Sequence, residues 1–174
     1  MPLKENGNPN KIFNTSRIIH LAFAALIVLV GEPLGELYII NYLNVVSESI
    51  PDAQFVFRLS IIAAAINTIF VPNQGLLVAY EKFRATALID IISNLVKLGL
   101  ILLFIYSDTN RIRLYSIIML SYTVINSLAY YMYCKKYHND VVVCNLNKDR
   151  RMYKEMVSFS SWTLFGAFAN VGKS

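Results

Sequence analysis

The chain has 174 residues, of which 56 % are hydrophobic, and its net charge is +5. This composition argues against a soluble domain, because a chain of this length has little interior in which to bury so many apolar side chains. The apolar residues also form blocks of about 20 residues, enough for a helix to cross a hydrocarbon core of roughly 30 Å. The sequence therefore predicts an all-α, polytopic transmembrane helical bundle. Its predicted spans are 18–40, 59–80, 86–106 and 112–134, followed by the start of a fifth at 156–172.

The first predicted span carries two carboxylates in its outer part. In the stretch "LVGEPLGELY", Glu32 and Glu36 lie one helical turn apart with Pro33 between them. Two carboxylates this close repel each other in a low dielectric, so one of them would hold a proton. Glu32 is therefore a candidate site for coupling to a proton or a sodium ion. The alternative is that the helix leaves the membrane at Gly31, which would place both acids at the outer interface.

The second predicted span, 59–80, contains four consecutive residues that disturb an apolar helix: Pro72, Asn73, Gln74 and Gly75. Proline removes a backbone hydrogen bond and kinks a helix, and glycine permits bending or close packing. The two side-chain amides must face protein or water, because lipid does not solvate them. The segment predicts a hinge at Pro72 and Gly75, with Asn73 and Gln74 facing a cavity. A kink that serves packing alone is the alternative.

A single polar stripe follows the third predicted span at helical spacing, and the remaining face is mostly Leu, Ile and Val. Its members are Thr86, Asp90, Ser93, Asn94 and Lys97. Such a stripe turns away from lipid, toward a bundle interior or a wet cavity, so Asp90, Asn94 and Lys97 are candidate cavity residues. Lys97 lies roughly 16 Å from the inner end of the span, close to the midplane. A charge there costs about 3 kcal/mol and requires water, an anionic substrate or a carboxylate on another helix.

The polar connections predict the orientation of the chain. Eleven of the sixteen Lys and Arg residues fall in the polar lead, the link "YEKFR" and the loop 135–155, whereas the two other links contain three. The positive-inside rule places the N-terminus and the loop 135–155 in the cytoplasm. This loop mixes Asp, Asn and Val with its cations, which favours contact with membrane lipids over binding of nucleic acid.

The sequence shows no pattern of catalytic or metal-ligating residues. It contains neither a glycine-rich phosphate loop nor a nucleophile elbow. His20 lies inside a span and His138 in a loop, while Cys134 and Cys144 stand without a repeated Cys/His pattern. The sequence therefore predicts no enzyme, no metal site and no cofactor.

Five stretches, taken in order, carry a family resemblance. They are "KIFNTSRIIHLAFAALIVLVGEPLGELYIINYLNV", "FRLSIIAAAINTIFVPNQGLLVAYEKF", "LVKLGLILLF", "YCKKYH" and "YKEMVSFSSWTLFGAFANVGKS". Together they resemble the bacterial polysaccharide flippases of the multidrug, oligosaccharidyl-lipid and polysaccharide exporter superfamily. The resemblance covers nearly the whole chain. One departure is that relatives tend to carry an acid one turn before the membrane lysine, where this chain has Ser93 and places its acid at Asp90.

The resemblance implies a two-lobed transporter that moves polyprenyl-pyrophosphate-linked oligosaccharide across the cell inner (cytoplasmic) membrane by alternating access. The chain would be a fragment of the first lobe, and the second lobe would be missing. Lys97 would attract the pyrophosphate, and the helix with Pro72 would bend during the exchange between states. Three alternatives stay open: a multidrug or cation antiporter of the same superfamily, a membrane-embedded enzyme of envelope glycan assembly, and a small interaction subunit.

Overall fold

The computed structural model describes residues 8–44, 46–103, 110–144 and 150–158. Within these ranges the chain is an all-α bundle without strands, and four of its helices are long and apolar enough to cross a membrane. The predicted helical membrane bundle is thereby confirmed. The long helices are α1 (Pro9–Asn41), α2 (Ile50–Ala79), α3 (Phe83–Leu103) and α4 (Arg111–Tyr137). A 3-10 turn (Ser47–Ser49) precedes α2, a single turn α5 (Asn139–Val142) follows α4, and residues 150–158 are also helical.

The helices begin earlier than the apolar blocks that predict them, and in α1 and α4 a capping side chain marks the start. The side-chain oxygen of Asn8 accepts a hydrogen bond from the Asn10 N–H at 3.1 Å, so α1 begins at Pro9, inside the polar lead. Asn110 caps α4 in the same way. The 33 residues of α1 span about 50 Å, so its polar first turns extend beyond a hydrocarbon core of roughly 30 Å. Hydropathy thus predicts the membrane-embedded part of each helix and not the whole helix.

Two of the predicted spans reach beyond the described residues. Residues 104–106 of the third predicted span lie outside them. Only residues 156–158 of the fifth predicted span, 156–172, are described, and they are helical. The fifth span therefore stays a prediction.

The four long helices pack side by side in the order α1, α2, α4, α3. Helix α2 packs along both α1 and α4, and α3 packs mainly along α4. The chain reverses tightly between α2 and α3, where Glu81 has a positive φ of 54°. This order makes α2 and α4 the centre of the bundle, so polar residues on their facing surfaces are the ones removed from lipid.

The most buried apolar side chains cluster at the predicted cytoplasmic end of the bundle. Side chains from α1, α2, α4 and α5 meet there: Phe13, Leu76, Leu77, Tyr130, Cys134, Val141 and Val142. The amide of Asn10 donates to the carbonyls of Val141 and Val143 at 2.8 and 2.9 Å, and the Asn14 amide donates to the Val143 carbonyl at 2.9 Å. These bonds tie the start of α1 to the chain that follows α4.

Two glycines allow α1 and α2 to approach closely. They lie four positions apart, at Gly31 and Gly35, in the spacing by which small residues let membrane helices pack. A methyl group at Gly31 would lie 2.7 Å from Ile61 Cδ1, and one at Gly35 would overlap the ring of Phe57. The α1–α2 contact therefore depends on the missing side chains of both glycines.

Candidate functional site

The polar stripe of α3 contacts α4 through two tyrosines. The hydroxyl of Tyr130 donates a hydrogen bond to Asp90 Oδ1 at 2.8 Å. Two turns further along α3, Lys97 Nζ lies 5.0 Å from the centroid of the Tyr122 ring. Ser93, between these contacts, is buried. The two ionisable residues of the stripe are thus each held by an aromatic residue of the same neighbouring helix.

The sequence analysis names a carboxylate on another helix as one possible partner of Lys97. In the structure the partner from the neighbouring helix is the aromatic ring of Tyr122. None of the four ion pairs between described residues includes Lys97. A tyrosine face attracts an ammonium group by about 0.5–2 kcal/mol, which is less than the roughly 3 kcal/mol that a mid-membrane charge costs. The half-buried ammonium group therefore still benefits from water or from an anion.

A polar cavity between α2 and α4 lies beside this lysine contact. Its volume is about 330 Å³, and its lining includes Asn67 of α2 and Tyr122, Thr123 and Asn126 of α4. Asn126 Oδ1 is buried and has no hydrogen-bond partner among the described residues. Tyr122 belongs both to the cavity wall and to the Lys97 contact, so one side chain connects the cation to the cavity. Asn67 and Asn126 lie near the middle of their helices, which corresponds to the middle of the predicted membrane layer.

The sequence analysis missed these cavity residues, although a signal for them exists. Polar side chains recur on α4 at helical spacing, just as they do on α3, which is the pattern of a polar face turned toward protein or water. These residues are Tyr122, Thr123, Asn126, Ser127 and Tyr130. The sequence analysis identifies such a stripe on α3 and does not extend the same test to α4.

The predicted hinge lies in an unbroken helix. Helix α2 runs through Pro72, which is buried, and the carbonyl of Asn73 accepts a hydrogen bond from Cys134 Sγ of α4 at 3.4 Å. The hydroxyl of Thr68 donates to the Ala64 carbonyl at 2.8 Å. A methyl group added to Gly75 would have no heavy atom within 4 Å, so this glycine serves no close helix contact among the described residues.

The predicted cavity residues separate into different places. Asp90 and Asn94 stay together, because the Asn94 amide donates to the Asp90 carbonyl at 2.8 Å. Asn73 instead lines a second cavity, nearer the predicted cytoplasmic end. Gln74 is half-buried and belongs to the lining of neither cavity. Lys97 and its stripe thus form one candidate site, and Asn73 belongs to another.

The acid pair of α1 shares an arginine from α2. Arg58 Nε lies 3.0 Å from Glu32 Oε1, and a terminal nitrogen of Arg58 lies 3.2 Å from Glu36 Oε1. All three side chains are partly exposed. The cation offsets the repulsion between the two carboxylates that led to Glu32 as an ion-coupling candidate, and that role stays a prediction. Sequence reasoning counted Arg58 only as an outer charge and missed this contact.

A second polar contact holds the outer ends of α2 and α4 together. Arg113 Nε lies 2.6 Å from Asp52 Oδ1, and the amide of Asn110 donates to the other oxygen of the same carboxylate. Arg113 also lies over the ring of Phe55. This contact fixes the start of α4 against α2, on the side of the membrane that the charge count predicts to be outer.

Among the described residues, no group of three or more His, Cys, Asp and Glu side chains could hold a metal ion. No protein-family model, curated protein or solved structure matches the chain. The class that the fold defines is a helical bundle with four helices able to cross a membrane. Membership of the flippase family stays a prediction from the sequence.

Proposed function

We propose that the chain forms part of the first lobe of an exporter that moves polyprenyl-pyrophosphate-linked oligosaccharide across the cytoplasmic membrane by alternating access, with its N-terminus in the cytoplasm. Lys97 is the observation that carries this proposal. It is a half-buried cation far inside an apolar helix, its Nζ lies over the ring of Tyr122, and that ring borders a polar cavity.

The role of Lys97 follows from its charge and its surroundings. A pyrophosphate entering the apolar layer loses hydration, and a lysine at that depth replaces part of what it loses. Tyr122 holds the ammonium group beside the cavity when no anion is present. A cationic site of this kind favours an anionic lipid-linked substrate over the cationic drugs of an antiporter.

Asp90 and the cavity amides have different roles in this proposal. Asp90 accepts the hydrogen bond of the buried Tyr130 side chain, so it positions α3 against α4, and its role in binding substrate stays a prediction. Asn67 and Asn126 carry amide donors and acceptors, which can exchange hydrogen bonds with sugar hydroxyl groups. The unpartnered oxygen of Asn126 is an acceptor for one such hydroxyl.

Transport in proteoliposomes tests the proposal. The protein that contains this chain, with its in-frame neighbouring sequence, is reconstituted with a fluorescent lipid-linked oligosaccharide, and movement between leaflets is followed by quenching from outside. Lys97→Ala should reduce the rate, and Lys97→Arg should retain part of it because charge survives although the guanidinium fork is wider. Lys82→Ala, which removes an exposed cation from the link between α2 and α3, is the matched control. Full transport by a well-expressed Lys97→Ala protein would refute the substrate contact.

A further inference from the structure

A second cavity, of about 160 Å³, lies where α1, α2, α4 and α5 meet. Most of its wall is apolar and includes Phe13, Phe70 and Leu128. Besides the Tyr131 ring, two polar side chains interrupt this wall, Arg17 of α1 and Asn73 of α2, and no acidic residue among those that the structure describes lines the cavity. An apolar cavity with one cation and one amide differs in chemistry from the uncharged polar cavity beside Lys97.

Asn73 brings an unsatisfied donor to this cavity. The residue is only 4 % exposed, and its side-chain Nδ2 has no hydrogen-bond partner among the described residues. Buried polar groups in folded proteins are nearly always hydrogen-bonded, because leaving one unpaired destabilises the fold. A ligand with an acceptor atom would satisfy this amide.

The charged side chain in the cavity wall is that of Arg17. Arg17 is half-buried, and none of the ion pairs between described residues includes it. A guanidinium group beside an amide donor matches the oxygens of a phosphate, which accept several charge-assisted hydrogen bonds.

The cavity runs from the predicted cytoplasmic surface of the membrane into the apolar layer. Arg17 directly precedes the first predicted span, 18–40, and Asn73 lies seven residues, about 10 Å, inside the predicted cytoplasmic end of the second, 59–80. The volume equals about five water molecules at roughly 30 Å³ each, enough for a phosphate group and too small for a whole lipid. Acyl chains would remain outside, along the exposed apolar helix faces.

We infer that this cavity binds the phosphate group of an anionic phospholipid of the cytoplasmic leaflet, with Arg17 neutralising the charge and the Asn73 amide donating to a phosphate oxygen. The inference does not require transport, since it rests on the cavity, the unpaired amide and the Arg17 cation. Binding would hold the starts of α1 and α5 against α2 and α4, where the buried core cluster lies.

Lipid titration of the purified protein that contains this chain, in a neutral detergent, tests the inference. Native mass spectrometry counts bound short-chain phosphatidylglycerol, and phosphatidylcholine of the same chain length and inorganic phosphate are titrated in parallel. We expect one saturable phosphatidylglycerol site, with weaker binding of the two other probes. Arg17→Gln should lower the phosphatidylglycerol affinity about tenfold, as expected for a lost charge-assisted hydrogen bond.

Arg84→Gln is the matched control, because it removes an exposed cation from the same predicted side of the membrane. It should leave the affinity within about twofold, since exposed charges contribute little. Asn73→Asp should also weaken binding, because its carboxylate would repel the negatively charged phosphate. Circular dichroism measures the helicity of this variant and shows whether it folds. If it does not fold, the Arg17→Gln variant decides the test alone. Equal losses in the two arginine variants, or equally tight binding of inorganic phosphate, would overturn the inference.

Discussion

Arg58 of α2 lies with its Nε 3.0 Å from Oε1 of Glu32 on α1, and the same guanidinium group reaches Glu36 one turn further along. The positive charge of Arg58 offsets the repulsion between the two carboxylates and links α2 to α1 through two ion pairs. It lies at the same interface as Gly31 and Gly35, so close packing and charge pairing hold α1 and α2 together in one place.

Arg58→Gln should lower the thermal unfolding midpoint of the purified protein in detergent. The effect should be small, about 1 kcal/mol or less, because the pair is half-exposed and exposed ion pairs contribute little. Removing one acid as well, in Arg58→Gln/Glu32→Gln, should recover part of the loss since the two carboxylates no longer repel. Arg111→Gln removes an exposed arginine near the same predicted side and should leave the midpoint unchanged. Equal midpoints for both single variants would show that the ion pair has no effect on stability.

Gly35→Ala should destabilise the α1–α2 contact, because the added methyl group would overlap the ring of Phe57. Overpacking of this kind costs about 1–3 kcal/mol, measured here as resistance to unfolding in a detergent series. Gly99→Ala is the matched control, since a methyl group there would have no heavy atom within 4 Å. A second change, Phe57→Ala, should relieve the clash in Gly35→Ala. An unaffected Gly35→Ala protein would contradict the tight α1–α2 packing.

Tyr122→Leu should destabilise the protein while Lys97 is present, because the ammonium group loses the ring that faces it. The expected loss is about 0.5–2 kcal/mol, the range of a cation–π contact. Tyr122→Phe keeps a ring and should behave nearly as the native protein does. A double-mutant cycle with Lys97→Met isolates the coupling between the two side chains. A coupling energy of zero would mean that Tyr122 contributes only apolar surface.

The sequence predicted the helical class and the approximate positions of the long helices, because runs of apolar residues constrain both. It did not predict how polar residues pair between helices. Asp90 with Tyr130, and Glu32 with Arg58, are contacts between residues far apart in the chain. Such pairs depend on the order α1, α2, α4, α3, which hydropathy alone does not encode.

In the candidate site, too, helical periodicity predicts which residues share a helix face, whereas helix packing determines which neighbour that face contacts. Helical spacing identified Asp90, Asn94 and Lys97 as one stripe. In the structure Asp90 and Lys97 contact α4, whereas Asn94 is exposed and bonds to its own helix. Asn73 is predicted to face a cavity because it is polar and lies inside a span. In the structure it lines the second cavity together with Arg17, and its backbone carbonyl accepts the hydrogen bond of the Cys134 thiol.

Pro72→Ala should leave insertion and folding intact, because α2 is already helical through this position and the change restores a backbone N–H. If the hinge hypothesis holds, the variant should slow lipid-linked oligosaccharide movement in the proteoliposome assay, since a straighter helix bends less readily. Gly75→Ala tests the second hinge residue without a steric effect, because open space surrounds that position. Unchanged transport with normal expression of both variants would leave the segment with a packing role only.

The predicted orientation is tested by the reactivity of two exposed thiols. Ser47→Cys places a thiol in the exposed 3-10 turn before α2, which the charge count assigns to the outer side, and native Cys144 is exposed in the loop assigned to the cytoplasm. An impermeant maleimide applied to intact cells should label Ser47→Cys in a Cys144→Ser background. It should label native Cys144 only after permeabilisation. Cys134 is buried, so it should contribute no background in the folded protein. The reverse labelling pattern would show that the N-terminus lies outside, and would place the Arg17 cavity at the outer leaflet.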